Sequence, residues 1–522
     1  MTKLKKRVLI VVSIAIGLGF IGLVIAAHIL TRRIDPYIRQ QVILYLQRRF
    51  ESEVELASLR VSVPNTSAVK LLLNRGRGTM VRVEGDGVLL RHKGRHDVPP
   101  MFVMKKFTCE VDLATLFDTP KIVRSVTVSG MEINIPPTGQ RPDLNRYGDD
   151  SGINTEVIVQ EAVISTSVLS IFPREKHQPP LRFELQHIKL ESVGKNVAMD
   201  YEAQLTNAKP PGQILSKGKF GPWAADEPGN TPLGGEYEFS KADLGVFSGI
   251  AGILDSTGRF TGTLAAIEVQ GQASVPDFRL RMSGNRVPLK TQFQVRVDGT
   301  NGNTILKPVH GTLGTTNFST SGGIIRHEAD AARAIKLDVM MPKGNLQDLL
   351  RLAMKGSPFM EGQIFLQTRI DIPPLTRKVR EKLVLDGQFD ISQAKFLRSQ
   401  IQNRIDELSR RGQGQPKNEE IDQVISGMAG TFHLQNEVIA FNALSFAIPG
   451  AGVDLTGAYN LDSDVLDFHG ALKLTAKVSQ TMSGWKRWAL KPADPFFSKN
   501  GAGTFLRIKV AGTAKEPKFG LN

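Results

Sequence analysis

Alternation of apolar and polar side chains is the feature of this sequence that most restricts its fold. The alternation recurs in four stretches, at 181–185, 293–297, 335–341 and 364–372. In the first of them, LRFEL, every second residue is Leu or Phe and the residues between are charged. Successive side chains of a strand point to opposite faces of a sheet. The pattern therefore predicts strands with one apolar face and one solvated face.

Turn-forming clusters separate the predicted strands, and they are KPPG (209–212), DEPGN (226–230), DGTNGN (298–303) and AIPGAG (447–452). No regular alternation of strand and helix is present, so the sheets are predicted to be mainly antiparallel. The predicted fold class is mainly β: N-terminal helices followed by a repetitive antiparallel β structure, with a first β region at 51–290 and a second at 291–522.

Two helical segments interrupt the predicted strands. A helical hairpin is predicted at 398–428, where Ile401, Ile405 and Leu408 share one helical face. The segment SRRGQGQPK (409–417) breaks the pattern, and a second apolar stripe follows at Ile421, Val424, Ile425 and Met428. That stripe is equally consistent with simple packing against a core. A shorter helix is predicted around 344–355.

An internal repeat joins the two β regions. Residues 262–280 align without gaps on residues 503–521, and 9 of the 19 positions are identical. Each copy predicts a strand, a turn centred on glycine and a second strand with the pattern Pro-Xaa-Phe-Xaa-Leu. The repeat favours two related halves of one β structure, and by itself it indicates no activity.

The N-terminus predicts a membrane anchor. Residues 8–30 form a run of 23 residues without Asp, Glu, Lys or Arg, long enough as a helix to cross a hydrocarbon core of roughly 30 Å. A cleaved signal peptide is the alternative, but its apolar region usually spans only about 7–15 residues. Basic residues in the tail at 1–7 outnumber Arg32 and Arg33 after the run. This bias predicts a single-pass protein with a cytoplasmic N-terminus and its bulk outside the cytoplasm.

The segment at 31–50 predicts an amphipathic helix. Its apolar residues recur every four positions, at Ile34, Ile38, Val42, Leu46 and Phe50. Asp35 and Pro36 are typical of a helix start. Two interpretations of this helix stay open. In the first, it lies on the lipid surface or plugs one end of a groove. In the second, it packs on the following sheet. The membrane-interface candidates here are Arg32, Arg33, Tyr37 and Arg39.

The net charge of +15 invites a nucleic-acid interpretation. Its distribution argues against this, because residues 1–106 contain 19 Lys and Arg but only 7 Asp and Glu. The basic charge therefore flanks the predicted anchor, where anionic phospholipid head groups are the nearest partner. No nucleic acid is expected as a partner.

Chemistry-bearing motifs are scarce. The sequence contains no HExxH, GxSxG or GxxxxGK[ST] pattern, and its one cysteine, Cys109, excludes an intramolecular disulfide. His92 and His96 lie in HKGRH, which is typical of a basic loop, and DSDVLD (462–467) is typical of a turn with a solvated strand. We therefore expect no catalytic residues, no cofactor and no metal site, and no enzyme activity.

A tryptophan-rich segment lies at 479–497. Trp485, Lys486, Arg487 and Trp488 are consecutive, and tryptophan beside basic residues is typical of a membrane interface. Two interpretations stay open. The segment contacts a second membrane or a partner protein, or it forms a helix that caps the core.

Several segments resemble a known bacterial family. They include YIRQQVILYLQRRFESEVELASLRV (37–61), KFLRSQIQNRIDELSRRGQGQP (395–416), LSFAIPGAGVDLTGAY (444–459) and the closing GAGT (501–504) to PKFGL (517–521). In these residues the chain resembles AsmA-like proteins, the relatives of AsmA and TamB.

The resemblance implies an anchor in the bacterial inner membrane and an elongated, twisted β structure with a hydrophobic groove in the periplasm. It also implies a role in phospholipid transport and outer-membrane homeostasis, with membrane phospholipids as partners. The alternative function is a scaffold or assembly factor for outer-membrane proteins that binds an outer-membrane or periplasmic protein and no stoichiometric lipid.

Overall fold

The structure is a computed structural model of the chain. It describes residues 43, 47, 52–62, 77–92, 94–112, 114, 121–136, 157–173, 179–194, 197–224, 227–326, 333–374, 377–415, 424–483, 485–494, 503–514 and 516–521. The predicted anchor at 8–30 and the interface candidates Arg32, Arg33, Tyr37 and Arg39 lie outside these residues. The chain divides into two compact units. Unit 1 comprises residues 1–243, 254–271 and 296–302, and unit 2 comprises residues 244–253, 272–295 and 303–522.

Nine strands in chain order form most of unit 1. They are β1 (Ser52–Ser62), β2 (Met80–His92), β3 (Phe102–Asp112), β4 (Lys121–Ile135), β5 (Val157–Ile171), β6 (Leu181–Val193), β7 (Met199–Ala208), β8 (Pro211–Phe220) and β9 (Pro232–Asp243). Each pairs with the next in antiparallel register, except that β4 and β5 are parallel. The strands β11 (Ile253–Thr263) and β12 (Ala266–Val275) follow.

A buried apolar core supports the first six strands of unit 1. Val81, Val83, Cys109 and Val111 have no exposed surface, because they occupy alternate positions on the inner face of β2 and β3. Ile43, one of the two helical residues described before β1, packs against this core. Of the two interpretations of the 31–50 segment, this contact favours packing on the sheet, at the position of Ile43.

Unit 2 contains most of the remaining strands. They are β10 (Ile250–Ala251), β13 (Arg279–Leu280), β14 (Leu289–Val297), β15 (Thr304–Leu313), β16 (Thr316–Ile325), β17 (Ala334–Asn345), β18 (Met360–Ile372), β19 (Val384–Phe396), β20 (Ser426–Gln435), β21 (Val438–Ile448), β22 (Ala451–Asn460), β23 (Val465–Leu474), β24 (Thr504–Thr513) and β25 (Pro517–Leu521). From β15 to β25 each strand pairs antiparallel with the next. β10 and β13 form a separate two-stranded sheet.

Four α-helices are described, and all lie in unit 2. They are α1 (Leu346–Ala353), α2 (Val379–Lys382), α3 (Ser399–Gly412) and α4 (Trp485–Leu490). Helix α1 begins after Asn345, whose side chain accepts a hydrogen bond from the Gln347 N–H. This side-chain cap satisfies one of the backbone donors that a helix N-terminus leaves without partners.

The mainly β, largely antiparallel prediction is confirmed. The four alternating stretches lie in β6, β14, β17 and β18, and the helix predicted at 344–355 is α1. The second helix of the hairpin predicted at 398–428 is wrong at 424–428, and Ile421 lies outside the described residues. Val424 and Ile425 are not helical, and Met428 lies in β20 opposite Ile391 of β19. The apolar stripe had the spacing of a helix, but sheet pairing and burial decide the conformation.

The repeat copies fold as strand, turn and strand, but the turn does not lie at the predicted glycine. Gly271 is inside β12 and Gly512 is inside β24. In the first copy the turn lies at 276–277, five to six residues after the glycine and before β13. In the second copy it lies between Thr513 and Pro517, directly after the glycine and before β25. The two copies also differ in pairing, because β13 pairs with β10 whereas β25 pairs with the strand just before it.

Candidate functional site

One side of the unit 2 sheet is apolar across many strands. In an antiparallel pair, residues directly opposite each other point to the same face. The register places Leu366, Phe389, Gly430, Leu444, Leu455 and Gly470 in one row across β18 to β23. We call this side of the sheet the apolar face, and the opposite side the polar face.

Many side chains of the apolar face are half-buried, although some, such as Phe468, are buried. Along β22 the exposed residues Asp454 and Thr456 alternate with half-buried Val453 and Leu455. Unit 1 differs here, because alternate residues of β2 and β3 are fully enclosed. The described residues therefore leave apolar surface on this face in contact with solvent.

Phenylalanines form a continuous strip on the apolar face. Phe389 lies 6.3 Å from Phe432 and 6.4 Å from Phe441, and Phe441 lies 5.9 Å from Phe468, all between ring centroids. These distances are in the range where aromatic pairs attract each other. The strip extends from β19 to β23, with rings on β19, β20, β21 and β23, and its phenyl rings carry no hydrogen-bonding groups.

Glycines opposite these rings let the rings lie close to the sheet. Phe432 is paired with Gly387, and Phe389 is paired with Gly430. A Cβ on Gly387 would come within 2.7 Å of the Phe432 ring and of the Gln367 carbonyl oxygen. The sequence contains both partners, but only the register reveals that they are neighbours, and so sequence reasoning missed this strip.

Helices cover one end of the apolar face. The connections from β17 to β18, from β19 to β20 and from β23 to β24 all lie at the same end of an antiparallel series, and they contain α1, α3 and α4. Leu346 of α1 packs in a buried cluster with Ile364 and Ile391. Ile405 and Leu408 of α3 pack against Ile448 in a second cluster.

Buried polar side chains hold these two helices in place. Asp348 of α1 is 4% exposed, and it accepts hydrogen bonds from the Thr315 N–H at 2.8 Å and from the Thr316 hydroxyl at 3.0 Å. Gln402 of α3 is 2% exposed, accepts from the Phe396 N–H and donates to the Val424 carbonyl. Such satisfied polar groups fix the helices in one position.

The polar face carries cross-strand charge pairs. Lys473 pairs with Asp454 at 2.6 Å, and His433 Nδ1 lies 2.6 Å from Asp386. The hydrogen bond to Asp386 raises the pKa of His433 above its usual value, against a smaller opposing effect of burial. A shallow concavity of about 830 Å³ over β18–β23 has Asp390, Asn442 and His469 in its lining.

The tryptophan segment forms the short helix α4. Lys486 is exposed, and Trp488 is 71% exposed. The Lys491 ammonium lies 4.2 Å from the centroid of the Trp488 ring, a distance typical of a cation–π contact. Trp485 and Arg487 belong to the same helix, and their side chains lie outside the description.

Cys109 and His96, two of the residues considered for chemistry, belong to unit 1. Cys109 is buried in unit 1, and desolvation together with the nearby Glu110 charge raises its pKa to about 12. His96 pairs with Glu53 at 3.4 Å. Within the described ranges, no group of three or more His, Cys, Asp or Glu side chains is arranged to hold a metal ion.

Comparison with protein families, curated proteins and solved structures gives no match for this chain. Over the part of the chain that the structure describes, no helix is long and apolar enough to cross a membrane.

Proposed function

We propose that the chain is an AsmA-like protein, anchored in the bacterial inner membrane, that binds phospholipid acyl chains on its apolar face in the periplasm. The observation that carries the proposal is the apolar face of unit 2, where Phe389, Phe432 and Phe441 are only half-buried and continue to the buried Phe468. Apolar surface of this extent requires a partner, and an acyl chain is a partner that needs no hydrogen bonds from the protein.

Energetics support acyl chains as this partner. Burial stabilises an acyl chain by about 0.8 kcal/mol per CH₂ group, whether the acyl chain is buried in a bilayer or against protein. Transfer from bilayer to apolar face is therefore nearly isoenergetic, and the head group stays in water. This exchange requires no catalytic residue and no nucleotide, which accords with the absence of such motifs from the sequence.

Photo-crosslinking of the full chain in cells tests the proposal. A photoreactive amino acid at Leu455, on the apolar face, is compared with the same amino acid at Thr456, the next residue, which is exposed on the polar face. We expect a phospholipid adduct at position 455 and none at 456. Absence of lipid at both positions, with the chain folded and inserted, would reject lipid binding on this face.

The alternative function is a scaffold for outer-membrane proteins, and one observation favours it. Strand β25 pairs only with β24 in the described register, and its Phe519 and Leu521 are 75% and 73% exposed. Exposed edge strands are places where partner strands add to a sheet. The same photoreactive amino acid at Phe519 would then give protein adducts, and Leu455 would give no lipid.

A further inference from the structure

Helix α4 lies in a segment, 477–494, whose two ends are joined by hydrogen bonds. Both carboxylate oxygens of Asp494 accept hydrogen bonds from Ser479, one from the N–H and one from the hydroxyl, each at 2.8 Å. Ser479 is 3% exposed. Thr504, which is also buried, donates its hydroxyl to the Ala476 carbonyl at 2.7 Å. These contacts fix both ends of the segment that carries α4.

The outer surface of this segment combines an aromatic ring with lysines. Trp488 is 71% exposed, in contrast to the buried position that a core-capping helix would give it. Lys477, Lys486 and Lys491 are exposed around it. An exposed tryptophan leaves a large apolar surface in water, and the contact with Lys491 offsets only part of that cost because Trp488 stays 71% exposed.

The segment is predominantly basic. Residues 477–494 contain three lysines and one arginine, and Asp494 is the single acidic residue. Asp494 directs both oxygens to Ser479. The exposed surface of the segment is therefore positive. A bilayer with anionic head groups offers phosphates to the lysines and an interfacial layer that accommodates the indole ring.

We propose that α4 and its flanking lysines dock on the surface of an anionic phospholipid bilayer. Trp488 enters the head-group layer, and the ammonium groups of Lys486 and Lys491 contact lipid phosphates on the aqueous side of that layer. This inference goes beyond the proposed function, because it concerns a membrane surface rather than single acyl chains and uses none of the residues of the apolar face.

Vesicle association of the full chain tests this docking. The chain is held in phosphatidylcholine nanodiscs and mixed with sedimentable vesicles of phosphatidylcholine, with or without phosphatidylglycerol. We expect sedimentation only with phosphatidylglycerol. Vesicles with brominated acyl chains should quench tryptophan fluorescence, and this quenching should be lost in Trp488→Ala.

Two variants and a matched control separate docking from other effects. Lys486→Gln/Lys491→Gln keeps Trp488 and should weaken association roughly tenfold to thirtyfold, which corresponds to about 1 kcal/mol for each basic residue. The control Lys518→Gln/Phe519→Ala removes a lysine and an exposed aromatic elsewhere in unit 2 and should leave association unchanged.

The outcomes are distinct. Equal association of the wild type, Trp488→Ala and the double lysine variant would overturn the proposal, as would equal binding to vesicles without phosphatidylglycerol. Loss of vesicle association in these variants with unchanged lipid adducts at Leu455 would leave the proposed function intact. Absence of lipid adducts at Leu455, with vesicle association still lost in these variants, would reject lipid binding on the apolar face and keep the docking surface.

Discussion

The ring of Phe107 covers Gly85 on the neighbouring strand, so that a Cβ on Gly85 would collide with three atoms of the ring. Both residues are buried, and Phe107 is 1% exposed. Gly85→Ala should therefore destabilise unit 1 by about 1–3 kcal/mol, as overpacking of a tight core does. The urea midpoint of the full chain, followed by tryptophan fluorescence, measures the effect.

A double-mutant cycle identifies the cause of this destabilisation. Phe107 ring atoms are the three nearest contacts of the added Cβ, so Phe107→Leu should relieve most of the cost of Gly85→Ala. Gly452→Ala, where a Cβ meets nothing within 4 Å, is the control and should change stability little. Additive effects of Gly85→Ala and Phe107→Leu would contradict the predicted collision.

Asp348 should contribute far more to stability than Asp338. Asp348 is 4% exposed and accepts hydrogen bonds from Thr315 and Thr316, so Asp348→Ala leaves buried donors without a partner. We expect a loss of about 3 kcal/mol. Asp338→Ala removes an exposed pair with Arg369 at 3.0 Å and should cost below about 1 kcal/mol. Similar urea midpoints for the two variants would contradict the assigned role.

Periodicity predicted strands such as β17 and β18 because each carries its own alternation, at 335–341 and 364–372. It could not predict that Met428 belongs to a strand, because spacings of three and four residues occur in helices and by chance in strands. The strip of phenylalanines was not predictable for a different reason. Phe389 and Phe432 are far apart in sequence, and only pairing across β19 and β20 makes them neighbours.

Cys109 should be unreactive in the folded chain. It has no exposed surface, and burial raises its pKa to about 12, so the thiolate that reacts with maleimide is nearly absent at neutral pH. We expect no labelling of the native wild type and full labelling in urea. Thr456→Cys, at an exposed position, serves as the positive control. Rapid labelling of native wild type would contradict burial of Cys109.

The His433–Asp386 pair should stabilise unit 2 only at mildly acidic pH. The pKa of His433 is raised in the folded chain, so its contribution is complete below the unfolded value of about 6.5 and is lost as pH rises through the folded pKa. Both side chains are largely exposed, at 40% and 59%, so the effect is small. His433→Gln should lower the urea midpoint slightly at acidic pH and leave it unchanged at alkaline pH. A folded pKa at or below the usual value, measured by NMR, would contradict this.

A charge on the apolar face should abolish lipid binding without unfolding the sheet. Leu455 is half-buried opposite Leu444, so the carboxylate of Leu455→Glu would lie where acyl chains are proposed to bind, and burying it there is costly. With lipid absent, the same carboxylate reaches solvent, because the face is incompletely covered. Leu455→Glu should therefore reduce phospholipid crosslinking from a photoreactive amino acid at Leu472, which lies on the same face in β23 opposite Val453.

Thr456→Glu introduces the same charge one residue away on the polar face and should leave crosslinking at wild-type level. Circular dichroism should show the same strand content in both variants, and equal lipid adducts in both would mean that lipid does not occupy this face.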